Sequence, residues 1–210
     1  MKTISKILPV LVAVLLSFGF TACSSDDTLE KEPVEDSYIA KAKTLLNGEI
    51  VISTSSKLND VDKTLLPGGC PAKYRFDWNG DNTMTLHLLG FQVGKMLFPI
   101  FFSCDCSFTK LSSFEEKEYR GDGWIKFTGG PGMLRTSEIG KASVQEGSSV
   151  TGYLNVNTQE IEFDVNYNMM NVHTNCPQQK IDKSRLARYE EELAQYEKDL
   201  KAYKVAHGLE

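Results

Sequence analysis

The chain has no Gly-x-Ser-x-Gly and no His-Glu-x-x-His, so the local signatures of serine hydrolases and zinc peptidases are missing. Thr128-Gly129-Gly130-Pro131-Gly132 is rich in glycine, but no Lys-Ser/Thr pair follows and Pro131 removes an amide that a phosphate loop would use. Histidine is scarce: His87 falls on the polar face of a candidate strand, His173 lies near Cys176, and His207 sits in a tail expected to fray. None of the three has an acid or nucleophile linked to it by spacing, so His87 and His173 read as surface or barrel-lining residues. Asp77-Trp78-Asn79-Gly80-Asp81 begins like a calcium loop, but Asn82 replaces the sixth-position glycine and Leu88 the twelfth-position acid. It reads as a turn. Glu115, Glu116 and Glu118 form a solvated acidic stretch. These absences make the expectation non-enzymatic, with no cofactor. Lys and Arg total 23 against 28 Asp and Glu, a net charge of −5. That balance argues against nucleic acid, or an anionic lipid face, as the main partner.

The chain's start is the informative part. Lys2 and Lys6 precede an apolar run from Ile7 to Phe20, and Thr21-Ala22 supplies small residues before Cys23. The run is shorter than the roughly 20 residues that a membrane-spanning helix needs, so it reads as a cleaved leader, residues 1–22. Phe20-Thr21-Ala22-Cys23 resembles a bacterial lipobox, with Phe where that pattern prefers Leu. The resemblance implies a diacylglycerol thioether and an acylated amine on Cys23. One acyl chain anchors marginally and several anchor durably. Ser24-Ser25-Asp26-Asp27 and the acids Glu30, Glu32, Glu35 and Asp36 resemble the export signal of Bacteroides-type lipoproteins. That implies an outer-membrane, cell-surface location. The same composition makes residues 23–37 a solvated tether. Losing Lys2 and Lys6 moves the net charge from −5 to −7.

Four cysteines remain: Cys70, Cys104, Cys106 and Cys176. In an exported chain an even number favours disulfides. Cys104 and Cys106, two apart, share a face of an extended segment and are poorly placed to bond each other, so each is expected to reach Cys70 or Cys176. A zinc site from Cys104, Cys106, Cys176 and His173 is the rival; it lacks the paired Cys-x-x-Cys spacing of compact zinc modules.

Residues 38–177 read as one antiparallel β domain behind a short helix over Ser37–Asn47, which Gly48 stops. Strands are predicted at Glu49–Ser55, Tyr74–Trp78, Thr83–Leu89, Lys95–Ser103, Trp124–Thr128, Gly140–Gln145, Ser149–Val156 and Glu160–Asn168. Asn79-Gly80-Asp81-Asn82 and Asn157-Thr158-Gln159 mark hairpins. Met84, Leu86 and Leu88 alternate with Thr83, Thr85 and His87, and Ile161, Phe163 and Val165 with Glu162 and Asp164. Met96 to Phe102 is apolar on both faces, which suits a doubly buried strand or a cavity wall, with an edge or bulge at Pro99. The fold expected is a closed antiparallel barrel or a sandwich. On the Cys23 signal, the single β domain and the glycine-rich hairpins from Gly121 onward, the chain resembles small Bacteroides lipoproteins of unknown function, some of them calycin-like.

Residues 178–210 differ. Leu186, Leu193 and Leu200 recur every seven residues with Tyr189, Tyr196 and Tyr203 three behind, a heptad pattern on a charged helix. The stripe predicts either a coiled-coil partner, a second copy included, or docking on the chain's own sheet. The functional expectation is a membrane-anchored lipoprotein that binds a small apolar or amphiphilic ligand in its barrel, near Met96–Phe102. The alternative is an assembly module acting through the helix.

Overall fold

The computed structural model describes residues 34–53, 55–58, 61–62, 66, 69–92, 97–169 and 172–209. The expectations for residues 1–33, lipidation of Cys23 included, lie outside the described residues. The chain from Lys31 onward forms one compact unit.

Helix α1 (Asp36–Leu46) comes first and buries Ile39, Ala42 and Leu46, spaced to share one face. Gly48, at φ 76°, turns the chain out of the helix and donates its amide to the Phe76 carbonyl. Then follow β1 (Glu49–Ser53), β2 (Ser55–Leu58), β3 (Val61–Asp62), β4 (Ala72–Trp78), β5 (Thr83–Phe91) and β6 (Ile100–Thr109). The second half holds β7 (Trp124–Gly129), β8 (Gly132–Arg135), β9 (Ser143–Gln145), β10 (Ser149–Asn155), β11 (Glu160–Asn166) and β12 (Val172–Lys180). A 3-10 turn over Lys183–Arg188 leads into α2 (Tyr189–His207).

The strands form one antiparallel sheet curled into a half-barrel, in the order β1-β4-β5-β6-β7-β10-β11-β12-β2-β3, with β8 on β6 and β9 on β8. Its two ends are neighbours in sequence. β1 pairs with β4, whereas β2, beginning two residues after β1 ends, pairs with β12. Between β1 and β12 the seam is crossed by side chains: Gln179 Nε2 and Arg185 Nη1 donate to the Ile52 carbonyl at 2.9 and 3.1 Å.

Alternation carries the strands as expected. Met84, Leu86 and Leu88 are buried while Thr83, Thr85 and His87 face outward, and Ile161, Phe163 and Val165 are buried opposite Glu162 and Asp164. The two predicted hairpins join β4 to β5 and β10 to β11. The inner face is filled by aromatic rings in edge-to-face contact, Tyr74 on Phe163 at 4.9 Å and Phe102 on Tyr167 at 5.0 Å. Glycines make the room: a Cβ on Gly152 would lie 2.1 Å from the Phe127 ring, and one on Gly132 2.2 Å from Phe102. The buried hydroxyls satisfy one another, Tyr74 with Tyr167 at 2.8 Å and Tyr167 with Thr174 at 3.0 Å.

Three expectations need correction. Cys70, Cys104, Cys106 and Cys176 are buried and none is bonded in a disulfide, so the structure holds neither of the two expected bridges. Cys104 and Cys106 do share the inner face of β6, as their spacing required, but there they lie among side chains of the apolar core. The strand expected over Lys95–Ser103 begins only at Ile100 and runs to Thr109, with Cys104, Cys106 and Phe108 inward. Ahead of it Leu97 and Phe98 are 92% and 45% exposed, so the apolar run is not buried on both faces. Finally, the sheet includes three segments with no prediction, β3, β8 and β12, and β2, of which only Ser55 lies in a predicted strand; β12 carries the sheet on to Lys180.

The heptad stripe of α2 is covered, in its first half, by the chain's own β domain. Tyr189 is buried, and Leu193 and Tyr196 pack against the core cluster. Lys183 pairs with Glu49 at 2.6 Å, and the Lys73 ammonium lies 4.3 Å from the Tyr189 ring centroid. The Lys183–Arg188 turn therefore runs along β1 from Glu49 to Ile52, and α2 lies beyond it at the end of the sheet holding Cys70 and Phe91 (hereafter the upper rim). Among the described residues no helix is long and apolar enough to cross a membrane.

Candidate functional site

Laying α2 across the sheet edge leaves a groove on each flank. One, of about 680 Å³, is lined by Leu66, Pro71, Arg185, Glu192, Gln195 and Tyr196 among others. Its neighbour, of about 410 Å³, shares Pro71 and is lined by Gly90, Phe91, Gln92, Tyr189 and Leu193. The apolar surface in both comes from the heptad stripe and the upper rim. The charged surface comes from Glu191, Glu192 and Asp199 of α2 with Arg185 and Arg188 of the turn before it in the larger groove, and from Glu197 in the smaller. Arg185 is fixed by Glu192, with Nη2 to Oε2 at 2.8 Å. Beneath the helix the Tyr196 hydroxyl hydrogen-bonds the Cys70 thiol, whose pKa burial pushes up to about 12. Cys106 is likewise raised, by its hydrogen bond with Cys104 and by burial, so it is inert as a nucleophile.

His87 finds the acid that the sequence did not link to it. Its Nε2 lies 3.1 Å from Asp77 Oδ2, and the Arg75 guanidinium grips the same oxygen at 2.8 Å through both Nε and Nη2. Beside them Asp105 accepts from Thr85 at 2.6 Å and from Asn79 at 3.0 Å. Burial lowers the His87 pKa, assisted by Arg75 and Arg135 and opposed by Asp77 and Asp105. This network lies on the outer face of β4, β5 and β6 and lines neither α2 groove.

Glu115 and Glu162 are not merely solvated. Glu115 Oε1 accepts from Lys126 at 2.5 Å and Tyr153 at 2.7 Å, and Oε2 accepts from the Ser112 amide and hydroxyl at 2.8 and 2.7 Å. Tyr119 stacks on Tyr153 at 4.0 Å and donates to Glu162 at 3.2 Å. The cluster pins the Ser112–Tyr119 segment to the outside of β7, β10 and β11, a fastening rather than a site. His173 pairs with Asn166 and Lys57 in the ladder of β12, and His207 stacks on Tyr203 in the last turn of α2. Among the described residues no group of three or more His, Cys, Asp or Glu side chains is arranged to hold a metal ion. Asp77 and Asp81 flank a plain hairpin turn.

The groove residues were outside the reach of local motifs. Their only sequence signal was the stripe holding Leu193 and Tyr196, which said that something covers the helix without saying what.

Residues 23–208 match the family model of a domain of unknown function, DUF4903, and the chain belongs to that family. No curated protein and no solved structure matches it.

Proposed function

We propose that this chain is a lipid-anchored, cell-surface lipoprotein of non-catalytic type, calycin-like in architecture and akin to Bacteroides lipoproteins. In this reading it holds a small amphiphilic ligand in the grooves flanking α2. The anchor reading is supported by the basic-apolar leader ending at Thr21-Ala22-Cys23, and by a family match that begins at Cys23. The observation that carries the ligand reading is the position of space. The inner face, the expected ligand chamber, is occupied by Tyr74, Phe76, Phe102, Phe127 and Phe163, whereas two connected-looking grooves of about 680 and 410 Å³ lie outside it and share Pro71. The larger pairs an apolar wall with charged residues of α2 and of the turn before it, which suits a molecule with one apolar and one polar end.

The mature chain, residues 23–210 with Cys23→Ser to remove the lipid, tests this with anilinonaphthalene sulfonate as the amphiphilic probe. A saturable site of about one probe per chain is expected. Gln195→Trp, at an exposed position on the groove wall, should abolish that binding and leave the urea unfolding midpoint unchanged. Unaltered probe binding by the Trp variant refutes the groove as the site. Native mass spectrometry of the same two proteins reads any copurified ligand by the same comparison.

A further inference from the structure

Nine large apolar side chains are exposed among the described residues, and five of them belong to one corner of the molecule: Leu97, Phe98, Met133, Ile139 and Val144. The register explains the clustering. β8 pairs with β6 through Phe101↔Arg135, Phe102↔Leu134 and Ser103↔Met133, and with β9 through Met133↔Val144. Met133 and Val144 therefore stand side by side on the outer face. Leu97 lies four residues before Phe101 and Ile139 four residues after Arg135, so both project past the same end of this β6–β8–β9 flap. Ile139 sits in a turn closed by the Gly140 amide on the Ser137 carbonyl, and it is 97% exposed. Leu97 is 92% exposed. Such tips cost solubility and contribute nothing to the core.

We propose that the flap is a second membrane foot, with Leu97, Phe98 and Ile139 entering the apolar layer of a lipid surface. The proposal rests on the lipid-anchor reading given above. Two observations select a lipid surface over a second copy or a protein partner. First, the apolar groups stand in two separate short segments, the bend at Leu97–Phe98 and the turn at Ile139, a shape that penetrates a fluid layer and offers little flat area to a rigid partner. Second, the chain is long enough. Val34 lines a cavity with Leu111 and Trp124 at the end of the sheet opposite the flap. From Cys23 to Val34 an extended chain spans at most about 36–40 Å. The nine residues of β5 rise about 30 Å along the strand, so an anchor at Cys23 can reach a membrane that the flap also touches. Charge does not drive the contact, because the chain carries a net −5 and residues 133–145 hold only Arg135, Glu138 and Lys141. The attraction is apolar and indifferent to salt. The same corner adjoins the groove at Gly90, Phe91 and Gln92, so a groove ligand could pass directly between lipid and protein.

The test is flotation of the mature chain, residues 23–210 with Cys23→Ser, with vesicles of phosphatidylcholine and phosphatidylethanolamine in equal amounts. The unlipidated chain should float with the vesicles at low and high salt alike. Leu97→Gln with Ile139→Gln should reduce the bound fraction by about tenfold or more, since each side chain loses the transfer of an aliphatic group out of water. Phe114→Gln with Val205→Gln, which removes exposed apolar groups elsewhere, should float like the parent. Absence of flotation by the parent overturns the proposal, as does equal flotation by the flap variant. So does a dimer, seen by sedimentation without vesicles, that the flap variant converts to monomer; the flap is then an interface between copies. Acyl labelling of the wild-type chain and probe binding by the flap variant are read separately. Loss of either one alone counts against the anchor or the groove and not against the flap.

Discussion

Replacing Glu115 by Gln removes one negative charge and almost nothing else, and the structure sets the size of the effect. Burial alone would raise the Glu115 pKa; the donors from Lys126, Ser112 and Tyr153 outweigh it and bring the value from 4.5 to about 2. The Glu115 side chain is 13% exposed and its Lys126 partner 24%, so solvent screens the interaction only in part. A fall from 4.5 to about 2 corresponds to about 3 kcal/mol of stability near neutral pH. Because the folded pKa is depressed, that stability is complete above the unfolded value of 4.5 and is lost as pH falls toward 2. A protonated Glu and a Gln are nearly isosteric, so wild type and Glu115→Gln should converge in acid. Urea unfolding should show the variant weaker by about 2–3 kcal/mol near pH 7 and by about 1 kcal/mol near pH 3. A difference that stays constant across that range would mean that Glu115 acts by packing, and the electrostatic account of the Ser112–Tyr119 fastening would fail.

Two further outcomes follow from groups on the outer face. His87 is held below its ordinary value of 6.5, chiefly by burial, so between the folded and unfolded values the unfolded chain binds more protons. Wild-type stability should therefore decline as pH drops through 6.5, and the difference between wild type and His87→Gln should shift against wild type over that interval; a pH-independent difference contradicts the assignment. Leu193→Ala with Tyr196→Ala uncovers the upper rim: a loss of about 2–4 kcal/mol is expected, with faster alkylation of Cys70 while Cys104, Cys106 and Cys176 stay protected. Uniform protection of all four thiols in that variant would show that α2 does not shield Cys70.

The strands that were legible had strict alternation and a turn to bound them, as in Met84-Thr85-Leu86-His87-Leu88 before and Ile161-Glu162-Phe163-Asp164-Val165 after. β12 was missed because its inward residues, Thr174 and Cys176, carry no apolar signal, while His173, Asn175, Pro177 and Gln178 surround them with polar and ring residues. β6 was displaced because the run Met96–Phe102 is the more hydrophobic stretch, yet its first part serves the surface flap and the true strand lies in Cys104-Asp105-Cys106-Ser107-Phe108. Spacing placed Cys104 and Cys106 on one face correctly. It held no information on whether Cys70 and Cys176 come within bonding reach, which depends on curvature across distant strands. The heptad stripe had the same limit. Periodicity shows that a face is covered, and only the folded chain shows that the cover is its own sheet. The grooves needed that docking before they existed, and His87 met Asp77 only through a cross-strand neighbour.

The stretch 49–58 has a consequence for how this domain is made. Its first half finds its partner in β4, within about 25 residues, as Ser53 opposite Ala72 and Glu49 opposite Phe76 show. Its second half must wait for β12: Ser55 pairs with Asn175, 120 positions later. A chain delivered N-terminus first can assemble the hairpins from β4 to β11 as they emerge, but the seam stays open until nearly the whole domain is out. Gln179 and Arg185, which stitch that seam, arrive late, with only α2 still to follow. Completion of the fold is thereby tied to the late-emerging β12, and an unfinished copy keeps one edge of β2 unpaired, a free strand edge that the finished domain covers.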